Sequence, residues 1–334
     1  MKKFALVLLC AALALPAFAG GKKDSGGGVI KIGVAVPTAD HGWTGGIGWW
    51  ADFKVNEIKA QYAGKVDFRV VHSANASSQV ADVENLMSWG INYLVILPHE
   101  SAPLTPIVKE IQSKGVKCIV VDRGLTDTSF GYVNLAGDNN GLGKLSGEWL
   151  AKTMKAEGLK NYVAQGGMPI VIDTERMTNF FAEMDKDPSL VNLEGKDKYQ
   201  FANFSPQDSL KLMEAHLQQY GSQIQAVFCQ DDDAMLGALQ AIKESGNTSI
   251  KIVIGGAGSK AVYEMIKAGD PLVRATTLYH PSMIADAIQY AVDVALGSKS
   301  DSFHTAKSPT TVVIPSALID KSNVDQYYNP GSSF

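Results

Sequence analysis

Apolar positions fall into blocks of two kinds along the chain. Short blocks rich in β-branched residues occupy Val29–Pro37 (V-I-K-I-G-V-A-V-P), Val66–His72, Tyr93–Leu97 and Val116–Val121. They read as strands, and Val116–Val121 as a central one buried on both faces. Longer blocks with apolar residues three or four apart fill the gaps. A helix is expected after a loop at Thr38–Gly46, running to about Ala63, and others over Gln79–Trp89 and Leu104–Ser113. Strand–helix alternation with a period of roughly 30 residues predicts right-handed βαβ units on a parallel sheet.

The pattern stutters once. Gly131–Leu135 is a short strand with no helix before it, and Asp138 and Asn139 cap a helix from about Gly141 to Lys155. Alternation then resumes with strands at Tyr162–Gln165, Tyr199–Asn203, Ala226–Cys229, Ile250–Ile254 and Leu272–Leu278, and a last short one at Val312–Ile314. Helices intervene at Asp173–Met184, Asp208–Tyr220, Asp233–Ser245, Lys260–Lys267 and Met283–Leu296. Two sheets of about five strands fit the length better than one very large sheet.

In open α/β sheets, ligands bind beyond the carboxyl ends of the strands. Those ends carry Asp40-His41-Gly42-Trp43-Thr44, Ser73-Ala74-Asn75, Pro98-His99-Glu100 and Asp122-Arg123 in the first half. The second half offers Gly166-Gly167 with Arg176 near the next helix, Phe204, Asp231-Asp232-Asp233, Gly255-Gly256 and Tyr279-His280. Asp122 and Arg123 are either a salt bridge closing a strand or half of a binding site. Hydrogen-bonding groups mixed with aromatics suit carbohydrate: hydroxyls need charged or amide partners, and C–H faces stack on rings.

Bulk properties narrow the class. The chain has 334 residues, 46% of them hydrophobic, and a net charge of -4. That supports about two domains and gives no basic footprint for nucleic acid. Lys2 and Lys3, the apolar run Phe4–Leu15 and Ala17-Phe18-Ala19 form a secretory signal peptide, residues 1–19, followed by a flexible tether over 20–28. The tether would suit lipid anchoring, but the apolar run before Cys10 is short for a lipid-modified residue. Cys118 and Cys229 are assigned to buried strands of different domains, so no disulfide is expected. No zinc spacing, phosphate loop or nucleophile–base–orienter set is apparent, so neither a metal, a cofactor nor an enzymatic activity is expected. The three acids at 231–233 have a plain alternative role, capping a helix and complementing its dipole.

I-G-V-A-V-P at Ile32–Pro37, D-R at Asp122–Arg123, G-D-N-N-G-L-G-K-L-S-G at Gly137–Gly147 and A-V-F-C-Q-D-D-D-A-M-L-G-A-L at Ala226–Leu239 occur in a telling order. With them the chain resembles the periplasmic sugar-binding proteins of the ribose/galactose type, the type I periplasmic binding proteins, which share their fold with LacI-like ligand-binding modules. The resemblance implies two doubly wound, Rossmann-like parallel-sheet lobes joined by three crossings. The N-terminal lobe would be 29–136 plus 280–306, and the C-terminal lobe 137–279 plus 307–334. It also implies a ligand cleft made by Trp43 as a stacking ring flanked by His41 and Thr44, with Asn75, the Asp122–Arg123 pair, Arg176, Phe204 as a second ring, Asp231 and Tyr279. Many relatives carry G-F-D-G where this chain reads Gly255-Gly256-Ala257-Gly258, so an aromatic and a carboxylate are missing.

The function this implies is capture of a monosaccharide or polyol in the periplasm by a monomer, with hinge closure and delivery to an inner-membrane ABC permease. A chemoreceptor or sensor kinase is the alternative partner, and a nucleoside or an autoinducer the alternative ligand. A signal peptide stands where a LacI-like regulator would carry its DNA-binding helices.

Overall fold

The computed structural model describes residues 28–39 and 42–334. The signal-peptide and Cys10 readings, nearly all of the tether, and His41 lie outside the described residues.

The first half runs β1 (Ile30–Pro37), α1 (Gly42–Gln61), β2 (Val66–Ser73), α2 (Ala76–Trp89), β3 (Tyr93–Ile96), α3 (Ser101–Ser113), β4 (Lys117–Val121) and β5 (Val133–Gly137). The second runs α4 (Asn139–Ala156), β6 (Asn161–Gly166), α5 (Val171–Met184), β7 (Val191–Asn192), β8 (Gln200–Phe201), α6 (Pro206–Tyr220), β9 (Ala226–Cys229), α7 (Asp232–Ser245), β10 (Ile252–Ala257), α8 (Lys260–Ala268) and β11 (Ala275–Leu278). The chain ends with α9 (Met283–Ala295), β12 (Thr310–Ile314) and β13 (Leu318–Asp320).

One sheet has the order β12-β5-β4-β3-β1-β2 and is parallel throughout. The other has the order β13-β11-β10-β9-β6-β7, with β8 also on β6 and β13 antiparallel. The inner strands β1, β3 and β4 are almost continuously apolar because both faces are covered, whereas the edge strand β2 alternates buried and exposed residues. Ile32, Val34 and Val36 pack with Ile119 and Val121 under α1 and α9. The alternate residues Ala35, Leu94, Ile96, Cys118 and Val120 pack under α2 and α3. The second sheet has two core faces of its own. Cys118 and Cys229 are free, buried thiols on different sheets.

Three segments cross between the sheets: Gly137–Asp138, Tyr279–Ser282 and Pro315–Ala317. They are bonded to one another. The Asp138 amide donates to the Ile314 carbonyl at 3.0 Å, the Ser316 hydroxyl to the Asp138 carbonyl at 2.8 Å, and the Leu278 amide to the Ala317 carbonyl at 2.8 Å.

Two expectations change. Residues 307–334 do not all go with the second sheet: Thr310–Ile314 pairs in parallel with Val133–Gly137. Val312 and Ile314 lay their apolar sides on the first core, so the last crossing comes after 314. Trp43 and Thr44 are not in a loop, because α1 already begins at Gly42. Packing overrides the poor helix propensity of G-W-T-G-G-I-G. A Cβ at Gly46 would stand 2.6 Å from Pro281 and 2.7 Å from Phe334, so only the bare backbone fits there.

Candidate functional site

The carboxyl ends of the two sheets face each other. The Gly42 amide, at the start of α1, donates to Asp233 Oδ2 of α7 at 3.1 Å. The Trp43 indole donates to the Tyr279 carbonyl at 2.9 Å, and the Tyr279 hydroxyl donates to Asp122 Oδ1 at 2.5 Å. Trp43, Asp122, Arg176, Asp231 and Tyr279 are brought together by these contacts and those below.

On the first wall, Asp122 ends β4 in the left-handed region, with φ at 59°. Asp tolerates that conformation better than most residues, and it turns the carboxylate out of the strand line. Arg123 does not bond to it. Arg123 Nε and Asp122 Oδ2 are 3.9 Å apart, beyond hydrogen-bond reach, and the guanidinium donates instead to the His99 carbonyl at 2.6 Å. The salt-bridge alternative therefore describes only a loose pair. Asn75 serves as the N-cap of α2, its Oδ1 accepting from the Ser78 amide at 2.9 Å. Thr44 is buried in the first turn of α1.

On the second wall, Arg176 projects from α5 and is 5% exposed. Its Nε donates to Asn139 Oδ1 at 2.9 Å, and its guanidinium lies 4.4 Å from the centre of the Tyr279 ring. The G-L-G-K-L-S-G motif explains how α5 comes so close. A Cβ at Gly143 would sit 2.0 Å from the Arg176 carbonyl, and one at Gly147 2.7 Å from that of Phe180. Glycines one turn apart on α4 thus seat the helix that carries Arg176.

The three consecutive acids have three roles. Asp231 caps α7, accepting from the Ala234 amide at 2.7 Å. Asp232 is fully buried and takes the amides of Gly258 and Ser259 and the Thr276 hydroxyl, fixing the turn after β10. Asp233 reaches across to Gly42. Burial pushes the Asp231 carboxyl up to about 7, and the nearby Arg176 charge opposes this. Burial likewise pushes Asp232 up to about 8, against the bonds it accepts.

Phe204 is half-buried, in the left-handed region with φ at 55°, and its ring lies against the backbone of Gly167, where a Cβ would be 2.1 Å from it. Asp173 holds that loop. Its carboxylate accepts from the Gly167 amide at 2.7 Å, the Gln230 amide at 2.7 Å and the Tyr199 hydroxyl at 2.6 Å. Sequence reasoning placed neither Asp173 nor Gln230 near the site, because an acid in the first turn of a helix ordinarily faces water. Where relatives of the ribose/galactose type carry a carboxylate, Ala257 is buried with φ at 87°, and its carbonyl accepts from the Tyr279 amide at 3.2 Å.

Two mainly parallel sheets, each covered by helices, tied by three crossings and closing on a polar and aromatic cleft, define a two-lobed binding protein of type I periplasmic architecture. Residues 32–300 match the periplasmic binding protein domain, and the chain belongs to that family. It is 26% identical over 326 residues to the D-xylose-binding periplasmic protein of Escherichia coli (strain K12), covering 96% of this chain and 93% of that one. It is 28% identical over 306 residues to the ribose import binding protein of Bacillus subtilis (strain 168), covering 91% and 90%. The solved fructose-binding periplasmic domain of a hybrid two-component system superposes with a TM-score of 0.68 at 26% identity, covering 89% of this chain and 93% of that one. These relatives are named for binding, not for a reaction.

Proposed function

We propose that this chain is the exported solute-binding component of an ABC importer, which captures a monosaccharide or polyol between its lobes and presents the closed complex to an inner-membrane permease. The observation that carries this is the convergence of Asp122, Arg176 and Asp231 with the Trp43 ring at the facing sheet ends. Acids and a guanidinium grip hydroxyls by charge-assisted bonds, and rings accept C–H faces. Arg123, Asn75 and Phe204 complete the set, and His41 belongs to it by its place in the sequence. The ligand stabilises the closed state by touching both walls, so the mechanism is binding with hinge closure and no bond is made or broken.

A thermal-shift panel of pentoses, hexoses and polyols tests the ligand class. At 100 times its Kd, a true ligand adds about 2.7 kcal/mol of stability. Calorimetry on Asp122→Ala then tests the site, with an expected loss of roughly 2–5 kcal/mol. A flat panel moves the reading to a nucleoside or other non-sugar, and unchanged affinity in the variant removes Asp122 from the site.

A second reading has one observation in its favour. A structural relative is the fructose-binding periplasmic domain of a hybrid two-component system, so a chemoreceptor or sensor kinase is the alternative partner. Neighbouring permease and ATPase genes, against a neighbouring kinase gene, separate the two.

A further inference from the structure

Tyr279 touches both walls of the cleft, belongs to one of the three crossings and packs on another. Its hydroxyl donates to Asp122 Oδ1 of the first wall, and its ring lies under the Arg176 guanidinium of the second. Its backbone carbonyl fixes the Trp43 indole, and its amide is held by Ala257. The ring has room only because residue 137, in the first crossing, is glycine: a Cβ there would come within 2.3 Å of it. The residue is 5% exposed, and burial followed by the Asp122 charge raises its hydroxyl well above the ordinary tyrosine value. It therefore stays protonated and donates.

The geometry assigns Tyr279 as a positioning residue that aligns the Asp122 carboxylate of one lobe with the Arg176 guanidinium of the other. This rests on the ligand-binding reading of the same cleft and deepens it. With Oδ1 taken by the phenol, Asp122 presents Oδ2 to a ligand hydroxyl. With Nε taken by Asn139, Arg176 presents its terminal nitrogens. Asp122 rides on β4 and Arg176 on α5, so Tyr279 meets both only when the lobes stand as they do here. The alignment is a property of the closed state, and closure and grip are one event. The chain thereby uses a hinge tyrosine as scaffold at a position the ribose/galactose resemblance would give to a polar residue facing the ligand, beside an Ala257 that offers no carboxylate.

The test is a double-mutant cycle by calorimetry on the purified protein, with D-ribose, D-xylose and myo-inositol as probes. Tyr279→Phe keeps the ring and its cation contact and removes the hydroxyl, which donates to Asp122 and also meets the Asn139 side chain. It should weaken the probe that binds by tenfold or more, as expected for loss of a hydrogen bond to a charged group, with its thermal midpoint close to that of the parent. Asp122→Ala should weaken binding further, and adding Tyr279→Phe to it should then cost nothing, because the tyrosine acts through Asp122. Multiplying losses mean that Tyr279 grips the ligand itself and overturn the assignment, as does an unaltered affinity in Tyr279→Phe. If the parent protein binds none of the probes, the sugar reading fails first and takes this one with it. Binding by the parent with an inert Tyr279→Phe overturns this one alone.

Discussion

The two walls of the cleft arise from the same device, a parallel strand ending in a polar loop, yet they hold their charges differently. On the second wall Arg176 and Asp231 are 5% and 7% exposed. They sit among Asn139, the α7 backbone and an Asp173 bonded three ways. On the first wall the Arg123 side chain is 36% exposed and tied by a backbone carbonyl. Asp122 owes its orientation to Tyr279, a residue of the hinge. The polar bonds of the second wall are thus made within its own lobe, with the Tyr279 ring under Arg176, while the carboxylate of the first wall is bonded by the hinge. Binding energy lost at Arg176 has no solvent to compensate it, whereas a gap left by Arg123 can be filled by water; the Asp122 side chain, 5% exposed, is as buried as Arg176.

Arginine truncation separates the walls most strongly. Arg176→Ala leaves a buried acid, Asp231, without its nearby cation, and should reduce ligand affinity by roughly 2–5 kcal/mol. Arg123→Ala removes a partly exposed group held by one carbonyl and should cost about 0.5–1.5 kcal/mol. Calorimetry with the ligand from the sugar panel measures both. Equal losses would erase the distinction between the walls.

A smaller effect is read in pH. In the folded chain burial raises Asp231 to about 7 and Asp232 to about 8, from an ordinary 3.8. Between the ordinary and the raised values the folded state holds protons that the unfolded state has released. Stability contributed by these acids is therefore full at low pH and falls as pH rises through roughly 4 to 8. Asp231→Asn removes its share, so the thermal midpoint of the ligand-free protein should decline less between about pH 5 and about pH 8, by a few degrees. Identical slopes would mean that Asp231 is already ionised in the folded state at low pH, and that the second wall is wetter than its burial implies.

The sequence showed one wall better than the other. Asp122 and Arg123 stand out because V-K-C-I-V-V breaks off into two charges, and strand periodicity alone places them. Arg176 and Asp231 are legible only through resemblance, since nothing local distinguishes Arg176 on an amphipathic helix or Asp231 among three acids. The helical start of α1 was hidden because its glycines favour a loop locally, and contacts with Pro281 and Phe334, far along the chain, decide otherwise. The edge strand at Thr310–Ile314 joins the first sheet instead of the second lobe that the resemblance implies for a related reason: its partner, Val133–Gly137, is distant in sequence and only register settles the pairing. Asp173 is invisible because its partners at 167, 199 and 230 converge only in three dimensions.

An effect of the same order as that of Arg123→Ala concerns the contact that joins the walls directly. Asp233 Oδ2 accepts from the Gly42 amide across 191 positions of sequence, and in the sequence it looks like an acid complementing the α7 dipole. Both descriptions hold, and they separate experimentally. The dipole term belongs to one lobe, so its loss appears as a drop in unfolding stability of about 0.3–1 kcal/mol whether or not ligand is present. The bond to Gly42 exists only when the lobes are closed, so its loss depopulates the closed state without touching the ligand. Asp233→Ala should therefore bind ligand about threefold to tenfold more weakly, with the change carried by faster dissociation. Stopped-flow dissociation measured beside ligand-free thermal unfolding reads the two terms apart. An unchanged dissociation rate with a lowered midpoint would reduce Asp233 to a helix-end charge and leave closure to the ligand and Tyr279.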